Sequence, residues 1–471
     1  MKNSTRLLSH VIVLGLGSVV SKLTVFLMMP LYTACLTPAS FGTVDILINT
    51  AVLLLPFVSL SAPEAVFRFA AGGYEEGAVL AVGKRLLLWG GFLLLGVLPI
   101  LGFFEILRPY LLYLALYVIF SVIHSYAAHI LRARGQYGLY TVQQVFCTLL
   151  TVSLAFLFLP VMGLGERGYL ASIFLADAIT ALILCVYLSR EKAKNQMDAS
   201  QLLRPMLRYA LPLIPTATLW WVLSVCDHYI LLFFHGEEAI GLYAAAGKLP
   251  ALLTFAASIF LEAWHFAAIR EKEENRGLLF EKIYAAFLPA MILLVLMLIL
   301  GSAFLVRHLF ASDFGEAALY VPLLSVASLF SALSSFLGSV YLVKLRSGAS
   351  LATAFVGATV NIVLDLLWIP SQGAIGAMAA TLVSYITVFL WRAVHCHRVM
   401  PFAQHIGKLT LSTVVLLVVA YLTMIGQTSV ALWLILPSIL PFFRELYDSG
   451  RYFLQFGKRF LHISTKKEKR S

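Results

Sequence analysis

Residues 283–305 read IYAAFLPAMILLVLMLILGSAFL and contain no Asp, Glu, Lys, Arg or His. At about 1.5 Å of rise per residue, a helix of this length crosses the ~30 Å hydrocarbon core of a bilayer. A run of about 18 or more apolar residues without charge is typical of membrane-spanning helices and not of soluble domains. The stretch therefore predicts a membrane-spanning helix.

The whole chain has the same character. Of its 471 residues, 61% are hydrophobic and 12% are charged, and the mean hydropathy is +0.91. A soluble protein could not hide this much apolar surface. We therefore predict an all-α polytopic membrane protein with fourteen transmembrane helices. The predicted spans are residues 11–34, 43–63, 86–106, 109–130, 140–161, 168–188, 209–234, 240–264, 283–305, 318–343, 350–370, 373–394, 407–425 and 429–443.

The basic residues test this count. If the N-terminus is cytoplasmic and the loops alternate, 29 of the 34 Lys and Arg residues lie on the inner side. The outer loops hold Arg108, Arg167 and Arg307, and Lys22 and Lys248 fall inside spans. Inner loops of membrane proteins carry such an excess of positive charge. We therefore expect a bacterial inner (plasma) membrane protein with both termini in the cytoplasm. The net charge of +11 then reflects topology, with no nucleic acid as partner.

Sequence motifs for catalysis or cofactor binding are not convincing. Residues 163–168 fit GxGxxG but follow a membrane span, so we interpret them as a turn between helices. The five cysteines form no CxxC and have no His or Cys partner at metal-ligand spacing, so we expect them to pack as small apolar side chains. The outer loops are too short for an external catalytic domain. We predict a transporter, not an enzyme, with no catalytic residues, cofactor or metal.

Two regions resemble each other about 200 residues apart. Phe41-Gly42-Thr43-Val44 enters the second span, and Ile240-Gly241-Leu242-Tyr243 enters the eighth. Leu159-Pro160 and Ile369-Pro370 each precede a glycine-containing turn. Repeated bundles around a central site are a common transporter plan. The predicted domains are an N-lobe (1–188, spans 1–6), a cytoplasmic linker (189–208), a C-lobe (209–400, spans 7–12), spans 13–14 (401–443) and a basic cytoplasmic tail (444–471).

Two motifs carry a family resemblance. Residues 21–42, from Ser21-Lys22 to Phe41-Gly42, resemble the first hairpin of polysaccharide-export flippases. Residues 361–381, which include NIVLDLLWIP and GAIGAMAAT, resemble the signature of their eleventh and twelfth spans. The chain is thus similar to the Wzx-type polysaccharide transporters of the multidrug/oligosaccharidyl-lipid/polysaccharide (MOP) exporter superfamily. The resemblance implies two six-helix lobes plus two C-terminal helices, a central cavity and alternating access. The implied cargo is an undecaprenyl-pyrophosphate-linked oligosaccharide.

Ionisable side chains inside spans cost about 2.5–3.5 kcal/mol each on insertion scales, so they are candidate site residues. Asp45 and Asn49, and likewise Asn361 and Asp365, are spaced i, i+4, and we expect each to pair. The predicted cavity residues are Lys22, Lys248, Asn49, Arg68 and Asn361, and the candidate ion-coupling residues are Asp45, Asp177, Asp227 and Asp365. We expect Lys22 and Lys248 to offset the charge of a pyrophosphate. The alternative is that each lysine pairs with an aspartate and holds helices together.

The residues leave rival functions open. A cation-coupled multidrug exporter of the same superfamily predicts more acidic than basic cavity residues. A peptidoglycan lipid-precursor flippase is a further alternative, since related lipid flippases carry basic residues in spans one, two and eight. Here the second span offers Asp45 and Asn49, and its nearest cation is Arg68. The expected partners are a polyprenyl-pyrophosphate-linked glycan and membrane lipid, with a glycan polymerase or glycosyltransferase complex as a further candidate.

Overall fold

The computed structural model describes residues 23–24, 26–190, 199–344 and 346–434. Every regular element in these residues is helical. The α-helices are α1 Met29–Cys35, α2 Pro38–Ser59, α3 Ala62–Ala71, α4 Glu76–Leu101, α5 Leu111–Ala133, α6 Tyr137–Phe156, α7 Gly165–Ser189, α8 Ser200–Ala210, α9 Leu213–Arg270, α10 Glu273–Leu309, α11 Ala317–Val343, α12 Ser347–Gln372, α13 Ala374–Val399, α14 Ile406–Met424 and α15 Thr428–Leu432. Short 3₁₀ turns at Arg108–Tyr110 and Ser312–Phe314 and a π-helical turn at Leu157–Val161 complete the set.

The described residues contain 11 helical stretches that are long and apolar enough to cross a membrane. One of them, Ser200–Ile269, holds both the seventh and the eighth predicted spans. Most of the first and fourteenth predicted spans, and the basic tail, lie outside the described residues. The prediction of a polytopic all-α membrane protein is therefore confirmed, and the count of fourteen spans stays a prediction.

Helix α9 breaks at Gly236, which has φ 82° and ψ −174°. Only glycine adopts this backbone conformation without steric cost. The break falls between the predicted spans 209–234 and 240–264. It reverses the chain between two membrane helices that follow each other without a polar loop.

The GxGxxG motif also forms a turn. Helix α6 continues as the π-helical turn that contains Pro160, and α7 begins at Gly165. Since Pro160 has no amide N–H, it cannot make the regular backbone hydrogen bond, and a local change of helix type is a common response. The preceding element is a membrane helix and not a strand, so the nucleotide-binding interpretation is excluded.

By their internal contacts, the residues form two compact units. Unit 1 comprises residues 1–245, 307–315 and 361–377, and unit 2 comprises residues 246–306, 316–360 and 378–471. Long helices such as α9 and α12 contribute to both units. The lobe boundaries taken from the sequence repeat stay a prediction.

Unit 1 has apolar cores between neighbouring helices. Ala62, Ala65 and Val66 of α3 pack against α4, α5 and the inner face of α8. A second cluster joins Ala51 and Leu54 of α2 to α4 and α5. Small residues such as alanine let helices approach closely, which is how helices associate inside a bilayer.

Unit 2 is organised around a cluster of aromatic rings. Trp264 stacks on Phe336 with a ring-centroid distance of 5.4 Å and an interplanar angle of 10°. Its indole N–H donates to the Ser339 hydroxyl at 2.9 Å, so the one polar atom of this ring is satisfied. Phe280 packs against both rings edge-on.

Unit 2 also contains a buried guanidinium. The charge count assigns Arg392 to an inner loop, but this residue lies within α13 and is only 2% exposed. Its Nε donates to the Thr353 hydroxyl at 3.0 Å and its Nη1 to the Ser334 carbonyl at 2.7 Å. Gly338 leaves the space that Nη1 occupies, since a Cβ there would lie 2.9 Å from it. A guanidinium keeps its charge even when buried, so these contacts hold a permanent cation among three helices.

Candidate functional site

The first polar cluster of unit 1 centres on His228, and we call it the histidine bridge (Asp45, Asn49, Asp227, His228 and Tyr243). Asp45 Oδ2 lies 2.6 Å from His228 Nδ1 and accepts a hydrogen bond from Asn49 Nδ2 at 2.8 Å. His228 Nε2 lies 3.9 Å from Asp227 Oδ1, and the Tyr243 hydroxyl donates to Asp227 Oδ2 at 2.6 Å. The imidazole of His228 therefore lies between the carboxylates of two residues, Asp45 and Asp227.

The sequence accounts for part of this cluster. Asp45 and Asn49 lie one turn apart on α2, and the predicted pairing between them is confirmed. Asp227 and His228 are adjacent on α9, and Tyr243 follows after the break at Gly236. The break folds Tyr243 back to Asp227, which is 16 positions earlier in the chain.

Helix α2 and the first half of α9 are joined by further hydrogen bonds. Thr50 Oγ1 and the Tyr229 hydroxyl are 2.8 Å apart, and the Trp221 indole N–H donates to the Asn49 carbonyl at 2.9 Å. Each bond of this kind contributes about 1 kcal/mol or less inside a bilayer. The two helices are therefore held at several points along their length.

The glycines of the sequence repeat lie at a close helix crossing. A Cβ on Gly241 would overlap the backbone carbonyl of Pro38, and a Cβ on Gly42 would overlap that of Glu237. Backbone atoms cannot move aside as a flexible side chain can. The contact between α2 and the second half of α9 therefore requires glycine at both repeat-related positions.

The second polar cluster contains Cys226, Asn361 and Asp365. The Cys226 thiol lies 3.2 Å from Asn361 Oδ1 and 3.5 Å from Asp365 Oδ2. Asn361 and Asp365 are both fully buried, and among the described residues neither Asn361 Nδ2 nor Asp365 Oδ1 has a hydrogen-bond partner. The predicted pairing of Asn361 with Asp365 is therefore wrong in this structure, because both side chains turn towards the thiol of α9.

The third cluster lies among α5, α6 and α7, and we call it the His124 cluster (Ser121, His124, Gln143, Cys147 and Asp177). His124 Nδ1 is 2.8 Å from Asp177 Oδ1, and His124 Nε2 is 2.6 Å from Gln143 Oε1. Cys147 Sγ is 3.5 Å from Asp177 Oδ1, and Ser121 donates to Asp177 Oδ2. The candidate coupling residue Asp177 thus has partners on two other helices.

The remaining predicted cavity residues lie apart from these clusters or outside the described residues. Lys248 is half-buried on the second half of α9, and Arg68 is exposed near the end of α3. Lys22 lies outside the described residues. The roles predicted for these three cations stay predictions.

Sequence reasoning missed the partners of the carboxylates. His124, His228 and Tyr243 were not singled out, and Cys147 and Cys226 were expected to pack as apolar side chains. The signal was present, since each is a polar residue within an apolar helix. Their importance depends on partners from other helices, which spacing along one helix does not reveal. All five cysteines are free thiols in the structure.

Together, the clusters place four carboxylates inside membrane helices, each beside a group that can donate or exchange a proton. Buried carboxylates in a membrane are costly unless they are protonated or paired. Each of the four carboxylates has a polar or ionisable neighbour in the structure.

Comparison with known proteins identifies a family. A family model described as "Polysaccharide biosynthesis protein" matches residues 7–265, which is more than half of the chain, and the protein belongs to this family. The chain is a multi-pass membrane protein. An uncharacterized membrane protein of Methanocaldococcus jannaschii is 24% identical over 376 residues, covering 74% of this chain and 88% of the relative.

Solved structures share the fold. The lipid II flippase MurJ, in an inward closed conformation, matches with a TM-score of 0.66 at 15% identity and covers 93% of this chain and 100% of its own. An inward-facing multidrug resistance transporter of the MATE family matches with a TM-score of 0.62 at 16% identity, covering 80% of this chain and 95% of its own. The fold implied by the resemblance noted in the sequence is therefore also the fold of a solved MOP-superfamily transporter.

Proposed function

We propose that this protein is a flippase that moves an undecaprenyl-pyrophosphate-linked oligosaccharide from the inner to the outer leaflet for polysaccharide synthesis. The family match over residues 7–265 carries this proposal, because it links the chain to polysaccharide synthesis. The similarity of fold to a lipid II flippase supports a lipid-linked cargo. No covalent chemistry is needed, so the protein acts as a transporter and not as an enzyme.

The sidedness follows from the charges. With both termini in the cytoplasm, nearly all basic residues lie on the inner face of a bacterial inner membrane. On this sidedness, the close crossing at Gly42 and Gly241 lies near the outer face. We infer that this crossing separates, and that the hydrogen bonds between α2 and α9 break, when the protein opens outward.

The carboxylate clusters are the candidate coupling sites. In the histidine bridge, loss of a proton from His228 removes the charge between Asp45 and Asp227 and weakens the attachment of α9 to α2. The cluster at Cys226 offers carboxylate and amide oxygens, the ligand type that hard cations prefer. We infer that occupation of these sites by a proton or a cation biases the equilibrium between inward-open and outward-open states.

The anionic headgroup needs a polar path, because an unpaired pyrophosphate in hydrocarbon has a prohibitive solvation cost. We assign this path to Lys22 and Lys248, with Asn49 and Arg68 as further contacts of the cargo. Asn361 is fully buried in this structure, so it can contact the cargo only after the helices around it have moved. The lysines compensate the charge of the pyrophosphate as point charges.

The direct test is a flipping assay with the purified protein. Liposomes that contain undecaprenyl pyrophosphate carrying a short oligosaccharide are treated with a membrane-impermeant glycosidase, which initially cleaves only the outer-leaflet fraction. We expect the protein to make the protected inner fraction cleavable, and not to flip a fluorescent phosphatidylglycerol in matched vesicles. A protected fraction that persists in the presence of folded protein would contradict the proposal.

A second candidate is a cation-coupled multidrug exporter. The observation that favours it is the excess of carboxylates, Asp45, Asp177, Asp227 and Asp365, in the described membrane helices of unit 1. This candidate predicts proton- or sodium-driven efflux of a hydrophobic dye cation from vesicles. Dye efflux without flipping of the lipid-linked glycan would favour it over the flippase. A peptidoglycan-precursor flippase is distinguished by offering lipid II in the same assay.

A further inference from the structure

The His124 cluster joins three consecutive helices of unit 1. His124 and Ser121 lie on α5, Gln143 and Cys147 on α6, and Asp177 on α7. Within the described part of the chain, this is the one group of three or more His, Cys, Asp or Glu residues whose ligand atoms all lie within 4.8 Å of one another. The side chains of His124 and Asp177 are 16% and 14% exposed, so the site is shielded but reachable.

The neighbours of His124 differ at its two ring nitrogens. Gln143 Oε1 is 2.6 Å from His124 Nε2, and a carbonyl oxygen there requires Nε2 to carry the hydrogen. Nδ1 of a neutral imidazole then presents its lone pair, although Asp177 Oδ1 lies 2.8 Å away. Two facing lone pairs repel each other. A cation between Nδ1 and Oδ1, either a proton or a metal ion, removes this conflict.

The second carboxylate oxygen of Asp177, Oδ2, has its own hydrogen-bond donor. Ser121 donates to Asp177 Oδ2, so Oδ1 remains directed towards His124 and Cys147. Metal-binding histidines commonly donate their other ring nitrogen to a neighbouring acceptor, and metal-binding carboxylates commonly accept such hydrogen bonds. Gln143 and Ser121 supply both kinds of support here.

The distances suit a small ion. In a tetrahedral zinc site the bonds are about 2.0–2.3 Å, which sets neighbouring ligand atoms roughly 3.3–3.7 Å apart. Cys147 Sγ and Asp177 Oδ1 are already 3.5 Å apart. The pair formed by His124 Nδ1 and Asp177 Oδ1, at 2.8 Å, must open only slightly.

The donor set indicates which metal. A thiolate and an imidazole favour zinc and similar transition metals, whereas sodium, magnesium and calcium prefer oxygen ligands. A divalent ion bound by one thiolate and one carboxylate forms a complex with no net charge. Neutrality matters at this depth, because an isolated charge in a low-dielectric interior is costly.

A cavity of about 250 Å³ in unit 1 borders one supporting residue of the site. Its mostly apolar lining includes Ser121, together with Ser59, Ser125, Thr218 and Glu64. Ser121 therefore faces this cavity and also contacts Asp177. The exposed carboxylate of Glu64 attracts cations to the cavity.

We propose that His124, Cys147 and Asp177 bind a divalent transition-metal ion, with zinc as the best fit and Gln143 and Ser121 as supporting residues. The metal clamps α5, α6 and α7 together. Spacing along the sequence did not reveal this site, because its ligands come from three different helices. The inference is independent of the cargo that the protein carries.

Cobalt titration of the purified full-length protein, after removal of any affinity tag, tests the site. A Co²⁺–thiolate bond produces a charge-transfer absorption band in the near ultraviolet. We expect one Co²⁺ per chain, a saturable band, displacement by Zn²⁺, and a raised thermal unfolding midpoint with Zn²⁺.

Variants identify the ligands. Cys147→Ser should abolish the band, and Asp177→Asn should weaken binding at least tenfold, while Gln143→Leu should weaken it by about 10- to 100-fold through loss of support. Cys185→Ser and His129→Ala are the matched controls. Cys185 is an exposed thiol on α7, and His129 Nδ1 bonds to the Ser125 carbonyl of its own helix.

Circular dichroism and gel filtration establish that each variant is folded, and Cys147→Ser exchanges a thiol for a hydroxyl of similar size. If wild-type protein shows no saturable band, the proposal is wrong. It is equally wrong if folded Cys147→Ser retains the band at full intensity, because the metal would then lie elsewhere.

Discussion

The two units treat buried charge in opposite ways. In unit 1, Asp45 and Asp227 lie within reach of one imidazole, His228, and these three side chains are of types that can gain or lose a proton. In unit 2, Arg392 is buried to a similar degree, but its guanidinium donates hydrogen bonds to a hydroxyl and a backbone carbonyl. A guanidinium does not lose its proton in proteins.

The histidine bridge can therefore act as a switch, whereas Arg392 can act only as a structural anchor. The histidine bridge can change its charge when a carboxyl group or the imidazole gains or loses a proton, and we expect its strength to depend on that occupancy. The guanidinium of Arg392 keeps its charge, so its hydrogen bonds join α11, α12 and α13 whether or not ions are bound elsewhere. We therefore expect substitutions in the bridge to affect transport more than stability, and substitution of Arg392 to affect stability first.

The largest expected effect is that of Arg392→Ala on stability. Removal of the guanidinium leaves the Ser334 carbonyl and the Thr353 hydroxyl without this donor and opens a cavity, at a cost of about 3 kcal/mol. Thermal unfolding in detergent measures it, with Arg398→Ala, an exposed arginine of the same helix, as control. A midpoint equal to that of the control would contradict the anchoring role.

The next effect concerns the glycine crossing. Gly241→Val places a branched side chain against the backbone of Pro38, and we expect a loss of about 2 kcal/mol, since overpacking against atoms that cannot move is costly. Gly247→Val on the same helix meets nothing within 4 Å and is the matched control. Equal unfolding midpoints for the two variants would exclude a tight crossing.

Asp227→Asn tests whether the histidine bridge of unit 1 acts in transport. The amide keeps the size of the side chain but removes the negative charge beside His228, so we expect flipping to slow about tenfold, equivalent to ~1.4 kcal/mol. The unfolding midpoint should change little. Asp313→Asn, an exposed carboxylate of unit 1, serves as control in the same vesicles. Unchanged flipping by Asp227→Asn would remove the bridge from the mechanism.

Tyr243→Phe has the smallest expected effect. It removes the hydroxyl that donates to Asp227 Oδ2 and should lower stability by about 1 kcal/mol, the usual net value of one hydrogen bond. Tyr421→Phe is a suitable control, because Tyr421 is 63% exposed. A loss no larger than that of the control would indicate that water replaces the hydroxyl.

Single-helix patterns predicted much of this structure. Long apolar runs predicted the helices, and the i, i+4 spacing of Asp45 and Asn49 predicted their hydrogen bond. The same spacing failed for Asn361 and Asp365, because a thiol from α9 competes for both side chains. Contacts across helices, such as that between Asp45 and His228, join residues 183 positions apart, and no local pattern specifies them.

The glycine crossing was also not predicted. Gly42 and Gly241 occupy matched positions of two similar segments, and they lie at one crossing. The similarity predicted repeated helices, but it did not predict that these two positions meet. The partners of His124 likewise lie on other helices, which similarity between segments does not identify.

The most direct test of the account is the dependence of flipping on membrane potential. A doubly negative headgroup that leaves a negative interior gains about 2 × 2.3 kcal/mol per 100 mV. In vesicles with an imposed potential, we expect outward movement of the undecaprenyl-pyrophosphate-linked glycan to slow when an ionophore collapses that potential. A rate that ignores the potential and follows only a proton or sodium gradient would contradict potential-driven export of an anionic lipid.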